Sequence, residues 1–412
     1  MKLSKLVLYI YLFIIPFYPS LSFISIAGFP IITIINIFVL ALLLVKFFLA
    51  KRFEALQFFL VFSIILSFVI SIISGWNITK CITNISLYII PIMIFVLVKE
   101  TSLSLDTFTN IITFSLAISA ILSILALAGV LNKTSNYYIN IYYVDGASGI
   151  IGIILFFYRL FTKTKKYNLI QTILLGVFGF IVVLLGQSRA RFLIAAISAI
   201  VVMFSFLLVF KSKGNKLFFR LSSIIVLGII VLFMVYRLIP TFAQYIDNIF
   251  QRINDLGKND ENVISRVDEM QMYLTIFKEN FLIGKGWGLL NNPLYLDMYS
   301  EQYMAHNMFV GLLGVGGLLF CLPFFIFLFS QFRILFLGVF KEKKENIIPS
   351  FVSIICLLLL SVSSSGFGKL SGVLFMTIVY ITTLGSTNSK IVFSNIKKHN
   401  YNSVQSRHVS VI

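Results

Sequence analysis

Long apolar runs recur from one end of this chain to the other, and they decide what it can fold into. Each is roughly 17 to 25 residues long, the length a helix needs to cross a hydrocarbon core. Phe, Ile and Leu dominate them, without the polar–apolar alternation that barrel strands require. Only 12% of the 412 residues are charged and the mean hydropathy is +1.00, against about 25% charged for soluble domains. The predicted class is all-α: a polytopic membrane protein of about twelve transmembrane helices, with one large extracytoplasmic loop containing short helices.

The expected spans are 6–22, 28–49, 56–74, 82–98, 107–130, 146–162, 167–186, 189–210, 221–239, 305–331, 348–365 and 370–386. They divide the chain into an N-terminal bundle of about nine spans (1–239), a polar loop (240–304), about three C-terminal spans (305–386) and a polar tail (387–412). Lys2 and Lys5 ahead of an apolar stretch imitate a signal peptide. Pro16, Tyr18 and Pro19 interrupt its apolar region and no clear cleavage site follows, so the segment reads as a retained first span.

Charge sets the topology. With both termini cytoplasmic, 22 of the 33 basic residues fall inside with five acids, leaving the outer side nearly neutral. Almost the whole net charge of +18 then lies on the cytoplasmic side. The basic residues are spread over many short connections as orientation signals, which argues against nucleic-acid binding. Cys81, Cys321 and Cys356 have neither disulfide-framework nor metal-ligand spacing. No metal or cofactor is expected.

The stretch Pro240–Ala305 is the one long polar interruption, and it holds nine of the fifteen Asp and Glu residues. Within it, Val267, Met270, Leu274, Phe277 and Phe281 recur at spacings of three and four, the pattern of an amphipathic helix over 266–282. Arg266, Glu269, Tyr273 and Asn280 fall off that stripe. Ser265 is the expected N-cap, and Gly284 with Gly286 the stop. The helix is expected on the outer membrane surface or packed against the bundle. Gly284-Lys-Gly-Trp-Gly288 reads as a flexible turn, since a lone GxGxG is weak evidence for a phosphate site.

Four cationic or titratable residues stand at outer span ends or within this loop. Arg189 and Arg191 stand where the seventh and eighth spans meet, and arginine near a span is costly unless it snorkels or finds a partner or cavity. Arg266 opens the amphipathic stretch, where an ion pair with Glu261 or Glu269 is the plain alternative. His306, followed by Asn307, begins the tenth span, and an imidazole there suits a general base or a hydrogen-bonded helix end. The glycines after it, Gly311, Gly314, Gly316 and Gly317, allow close helix contact.

In this order, Gln187-Ser-Arg189-Ala-Arg191, Ser265-Arg266 heading a helix that ends in GKGWG, and His306-Asn307 resemble the bacterial O-antigen ligase and O-antigen polymerase superfamily. The resemblance extends over roughly residues 180–320. It implies a membrane glycosyltransferase of the bacterial inner membrane that uses glycans carried on undecaprenyl pyrophosphate. Arg189, Arg266 and His306 are then the catalytic set, and Arg191, Arg252, Tyr273 and Asn307 are candidates for substrate contacts. Implied partners are the lipid-linked donor, a glycan or lipid-linked acceptor, the bilayer and a chain-length regulator. The expected reaction is an inverting, metal-independent displacement, with polymerisation preferred and transfer to lipid A–core as its alternative. A sugar transporter or lipid-linked oligosaccharide flippase is the rival class. Against it stand the 65-residue outer loop and the lack of an evident half-chain repeat.

Overall fold

A computed structural model describes residues 3–21, 24–26, 29–49, 55–127, 145–162, 168–186, 188–209, 237, 247, 261–288, 307–363 and 370–384. Nearly all of them are helical: α1 (Leu3–Ile14), α2 (Ile31–Leu49), α3 (Ala55–Ile73), α4 (Ile78–Met93), α5 (Phe95–Thr101), α6 (Leu105–Leu127), α7 (Gly146–Phe161), α8 (Leu169–Leu185), α9 (Arg189–Val209), α10 (Glu261–Glu279), α11 (Met308–Phe340), α12 (Ile348–Ser363) and α13 (Ser371–Leu384). Strand among the described residues is limited to a two-residue antiparallel ladder, Ser25–Ile26 with Phe29–Pro30. The chain is a multi-pass helical membrane protein.

Six of the helical stretches are long and apolar enough to cross a bilayer, or seven if the pair Cys81–Met93 and Phe95–Thr101, bent by 41°, is one span. Four more are apolar but shorter. These lengths leave the expected total of twelve open. The expected ninth span, 221–239, lies outside the described residues except for Arg237. The first span is broken where Pro16 sits in a 3-10 turn, Ile15–Phe17. The tenth runs to Phe340, nine residues past its expected end.

Polarity is turned inside out relative to a water-soluble domain. Phe114 and Phe329 are each 68% exposed, an outer surface that only lipid would cover. On α6 the neighbouring Ser115, Ser119 and Ser123 are buried instead. Ser119 and Ser123 donate to the carbonyl one turn back, at 2.9 and 2.8 Å, which satisfies each hydroxyl within its own helix.

The tightest helix contact is α7 on α8. A methyl group added at Gly149 would come within 2.6 Å of the Gly179 carbonyl oxygen, so small residues are what let the two backbones touch. At one end of the bundle the helices are tied by polar contacts. Lys46 and Ser4 meet Glu100 at 2.9 and 3.0 Å. Arg159 lies 3.9 Å from Asp106 and donates to Gln171 at 3.1 Å, and Gln171 donates to Asn110. Arg159, expected from its place in the chain to mark the cytoplasmic side, is thus a buried bundle residue. A charge that deep needs partners, and the network supplies them. Each of these contacts joins residues that the charge alternation places on one side.

Candidate active site

At the opposite end of the bundle α7, α8 and α9 converge. Asp145 caps α7, its Oδ1 accepting from Ala147 N–H at 3.2 Å while its own N–H donates to the Pro16 carbonyl. The same carboxylate meets the Arg191 guanidinium at 3.5 Å, with the Asp145 side chain 1% and the Arg191 side chain 12% exposed. Gly146 makes room for this pair, because a Cβ there would stand 3.2 Å from Arg191 Cδ. Arg191 therefore engages a buried carboxylate rather than reaching for headgroups. Among the described residues Asp145 Oδ2 has no hydrogen-bond partner, so within them the pair is only half satisfied. Arg189 is the first residue of α9, about 200° round the helix axis from Arg191 by register.

Helix α10 begins at Glu261, four residues before the expected cap, so Ser265 is a helix residue. Its packing is also rotated from the expected stripe. Tyr273 and Ile276 are buried, whereas Val267, Leu274 and Phe281 are exposed. The cause is Gly314 of α11, which leaves a recess for the Tyr273 ring; a Cβ at Gly314 would come 2.8 Å from Tyr273 Cδ1. Tyr273 thus docks the helix, and the apolar stripe is left facing outward. Arg266 is exposed.

The GKGWG segment is no flexible turn. Helix α11 breaks at Gly317, whose φ of 59° and ψ of −168° exclude a side chain. The backbone groups the break releases are taken up by residues 281–286. Lys285 and Gly286 N–H donate to the Gly314 and Val315 carbonyls, and Leu318 and Leu319 N–H donate to the Phe281 and Leu282 carbonyls, each at 2.9 Å. Irregular backbone inside an apolar bundle survives only when paired in this way. Gly284, with φ +65°, fits against the break, where a Cβ would meet the Val315 carbonyl carbon at 2.5 Å.

Trp287 then enters the bundle and is fully buried. Its indole N–H donates to Ser67 Oγ at 2.9 Å and its backbone N–H to Ser71 Oγ at 2.8 Å, while Asn84 donates to its carbonyl at 2.8 Å. Tyr88 and Phe320 pack against the indole with ring centres 5.2 and 5.3 Å away. Trp76 closes the outside by donating to the Lys285 carbonyl at 2.7 Å.

Asn307 heads α11, its Oδ1 accepting from Phe309 and Val310 N–H at 3.1 and 3.3 Å. That cap is a structural duty for a residue expected to touch substrate. His306 and Arg252 lie outside the described residues, as does the side chain of Arg189. The elements that carry the candidates still share a neighbour: α9, led by Arg189, and α10, bearing Arg266, both contact α11. Among the described residues no three His, Cys, Asp or Glu side chains gather to hold a metal ion.

Residues 174–325 match the O-antigen ligase family. This stretch resembles an O-antigen ligase domain. It starts within α8, ends within α11 and encloses Arg189, Arg266 and His306 along with the Gly284–Gly288 turn. No curated protein matches the chain. The domain supports a membrane glycosyltransferase of the O-antigen ligase or polymerase type, a class that works on lipid-linked glycans.

Two parts of the site escaped sequence reasoning. Asp145 was legible in principle, since it is the only acid on the expected outer side before residue 240 and abuts a buried run. Ser67, Ser71 and Asn84 carried no signal, being single polar residues in apolar helices.

Proposed function

We propose that this protein is a surface-polysaccharide polymerase of the bacterial inner membrane, with both termini cytoplasmic and its active site on the outer side. The observation that carries the reading is that one stretch matching the O-antigen ligase family encloses Arg189, Arg266 and His306, with the helices of the two arginines both packed on α11. The donor is a glycan on undecaprenyl pyrophosphate. A hydroxyl of the acceptor sugar attacks the anomeric carbon and forms the new glycosidic C–O bond. The bond from that carbon to the pyrophosphate oxygen breaks, with inversion, and the carrier pyrophosphate leaves. His306 accepts the hydroxyl proton. Arg189 and Arg266 neutralise the leaving diphosphate, a task suited to a planar cation that stays protonated at every working pH. Polymerisation needs recognition of one ligand class only, a carrier-linked glycan serving as donor and as acceptor.

The family's own designation favours a second form, in which lipid A–core is the acceptor and the protein is a ligase. A deletion strain separates the two. Surface glycan of a single repeat unit indicates the polymerase, and long glycan retained on its carrier indicates the ligase. For the site itself, Arg189→Ala, Arg266→Ala and His306→Ala are each expected to abolish long polysaccharide at normal membrane levels of the protein. Loss of one preorganised charge contact costs about 10²- to 10³-fold in rate. Normal chain-length ladders from all three variants reject the assignment.

A further inference from the structure

Every element that grips Trp287, apart from α11, lies outside the O-antigen ligase domain. Ser67 and Ser71 are on α3, Asn84 and Tyr88 on α4, and Trp76 stands between those helices. The turn they hold is bonded in turn to the broken backbone of α11 and ends the helix that bears Arg266. From this geometry we infer that Trp287, seated on Ser67 and Ser71, is a positioning residue for glycan transfer: it fixes α10, and with it Arg266, relative to the Asn307-capped head of α11. The inference rests on the role proposed above for Arg266.

The joint has the stiffness this role needs. Four backbone hydrogen bonds link residues 281–286 to residues 314–319. Three more polar contacts and two ring contacts hold Trp287. Substitution of glycine is blocked on both sides, since a Cβ at Gly286 would stand 3.0 Å from Ser71 Oγ and one at Gly288 would meet the Trp76 ring at 2.5 Å. The indole N–H and Ser67 Oγ set how deep the turn sits, and the depth of the turn sets where α10 ends. Misplacement of a charge-neutralising cation by about 1 Å costs about a hundredfold in rate. The loss falls on kcat, because charge on the leaving diphosphate develops in the transition state.

The test uses the full-length protein in proteoliposomes with a carrier-linked single-repeat donor. Four proteins are compared: wild type, Arg266→Ala, Trp287→Phe and the double variant Ser67→Ala/Ser71→Ala. Trp287→Phe keeps an aromatic ring but loses the indole N–H and the bulk of the second ring; the serine variant leaves Trp287 itself in place and removes only the hydroxyl partners. Both are expected to lower kcat about 10- to 100-fold with donor KM within about twofold of wild type and unchanged yield of folded protein. Wild-type kcat in either folded variant overturns the positioning role. So does a loss of rate that only follows loss of folded protein, which would make the seat structural. The Arg266→Ala arm separates the two ideas: if that variant is as active as wild type, the proposed site itself fails. If it is inactive while Trp287→Phe works normally, only the positioning inference fails.

Discussion

Gly317→Ala is the sharpest test of the joint between α10 and α11. The native φ of 59° with ψ of −168° belongs to a region open essentially to glycine, and an L-residue held there costs about 1–3 kcal/mol. The added Cβ would also lie 2.6 Å from the Leu282 carbonyl carbon and oxygen. Those atoms are backbone, held by the bond from Leu319 N–H and flanked by the Phe281 carbonyl that Leu318 N–H holds, so they cannot swing aside as a side-chain tip would. Overpacking of this kind adds about 1–3 kcal/mol, for a sum of about 2–6 kcal/mol against a typical total stability of about 5–15 kcal/mol. Gly75→Ala is the control. Its φ is +77° but nothing lies within 4 Å of the new methyl, so only the left-handed strain of about 1–2 kcal/mol remains. Thermal unfolding followed by tryptophan emission reads the joint directly, because the chain's two tryptophans, Trp76 and Trp287, both sit in it. Gly317→Ala is expected to redden its emission at a clearly lower temperature than Gly75→Ala. Coincident transitions for the two variants would refute the account of the break as a packed and paired structure.

Asp145→Ala strands the Arg191 guanidinium in a mostly buried position and is expected to destabilise the purified protein by about 3 kcal/mol, with Asp145→Asn milder because it can still accept from Ala147 N–H. Equal melting of the two variants would count against the ion pair. Gly179→Leu drives α7 from α8, where an added Cβ alone would stand 3.0 Å from the Gly149 carbonyl oxygen, and should abolish monodisperse protein in size-exclusion chromatography. If His306 is the base, it must be neutral to accept a proton, so kcat falls as pH drops through the imidazole range near about 6.5. A profile flat between about pH 5 and 8 rejects that role.

The helical membrane class was plain in the sequence because hydrocarbon demands internal hydrogen bonding over a fixed thickness, and uninterrupted runs of Phe, Ile and Leu betray it. The face of α10 was not. Val267, Leu274 and Phe281 form the more apolar stripe, and in water that stripe would be buried. Beside a membrane an apolar face can look outward, so packing falls to whichever side chain finds a recess, here Tyr273 over Gly314. The glycines of α11 carried the same ambiguity. Gly314 receives a ring, Gly317 breaks the helix, and composition alone makes the two alike. The Asp145–Arg191 pair depended on helices that meet only in three dimensions, α7 and α9, and no spacing in the chain announces it.

The socket for Trp287 has consequences for anyone who would transplant the stretch that matches the O-antigen ligase family. A chimera that exchanges residues 174–325 alone would place a foreign turn against the native Ser67, Ser71, Trp76 and Asn84, or this turn against a stranger's equivalents. The unit that can be moved intact is discontinuous: the α3–α4 hairpin travels with the segment it grips, though the eighty residues 94–173 separate the two.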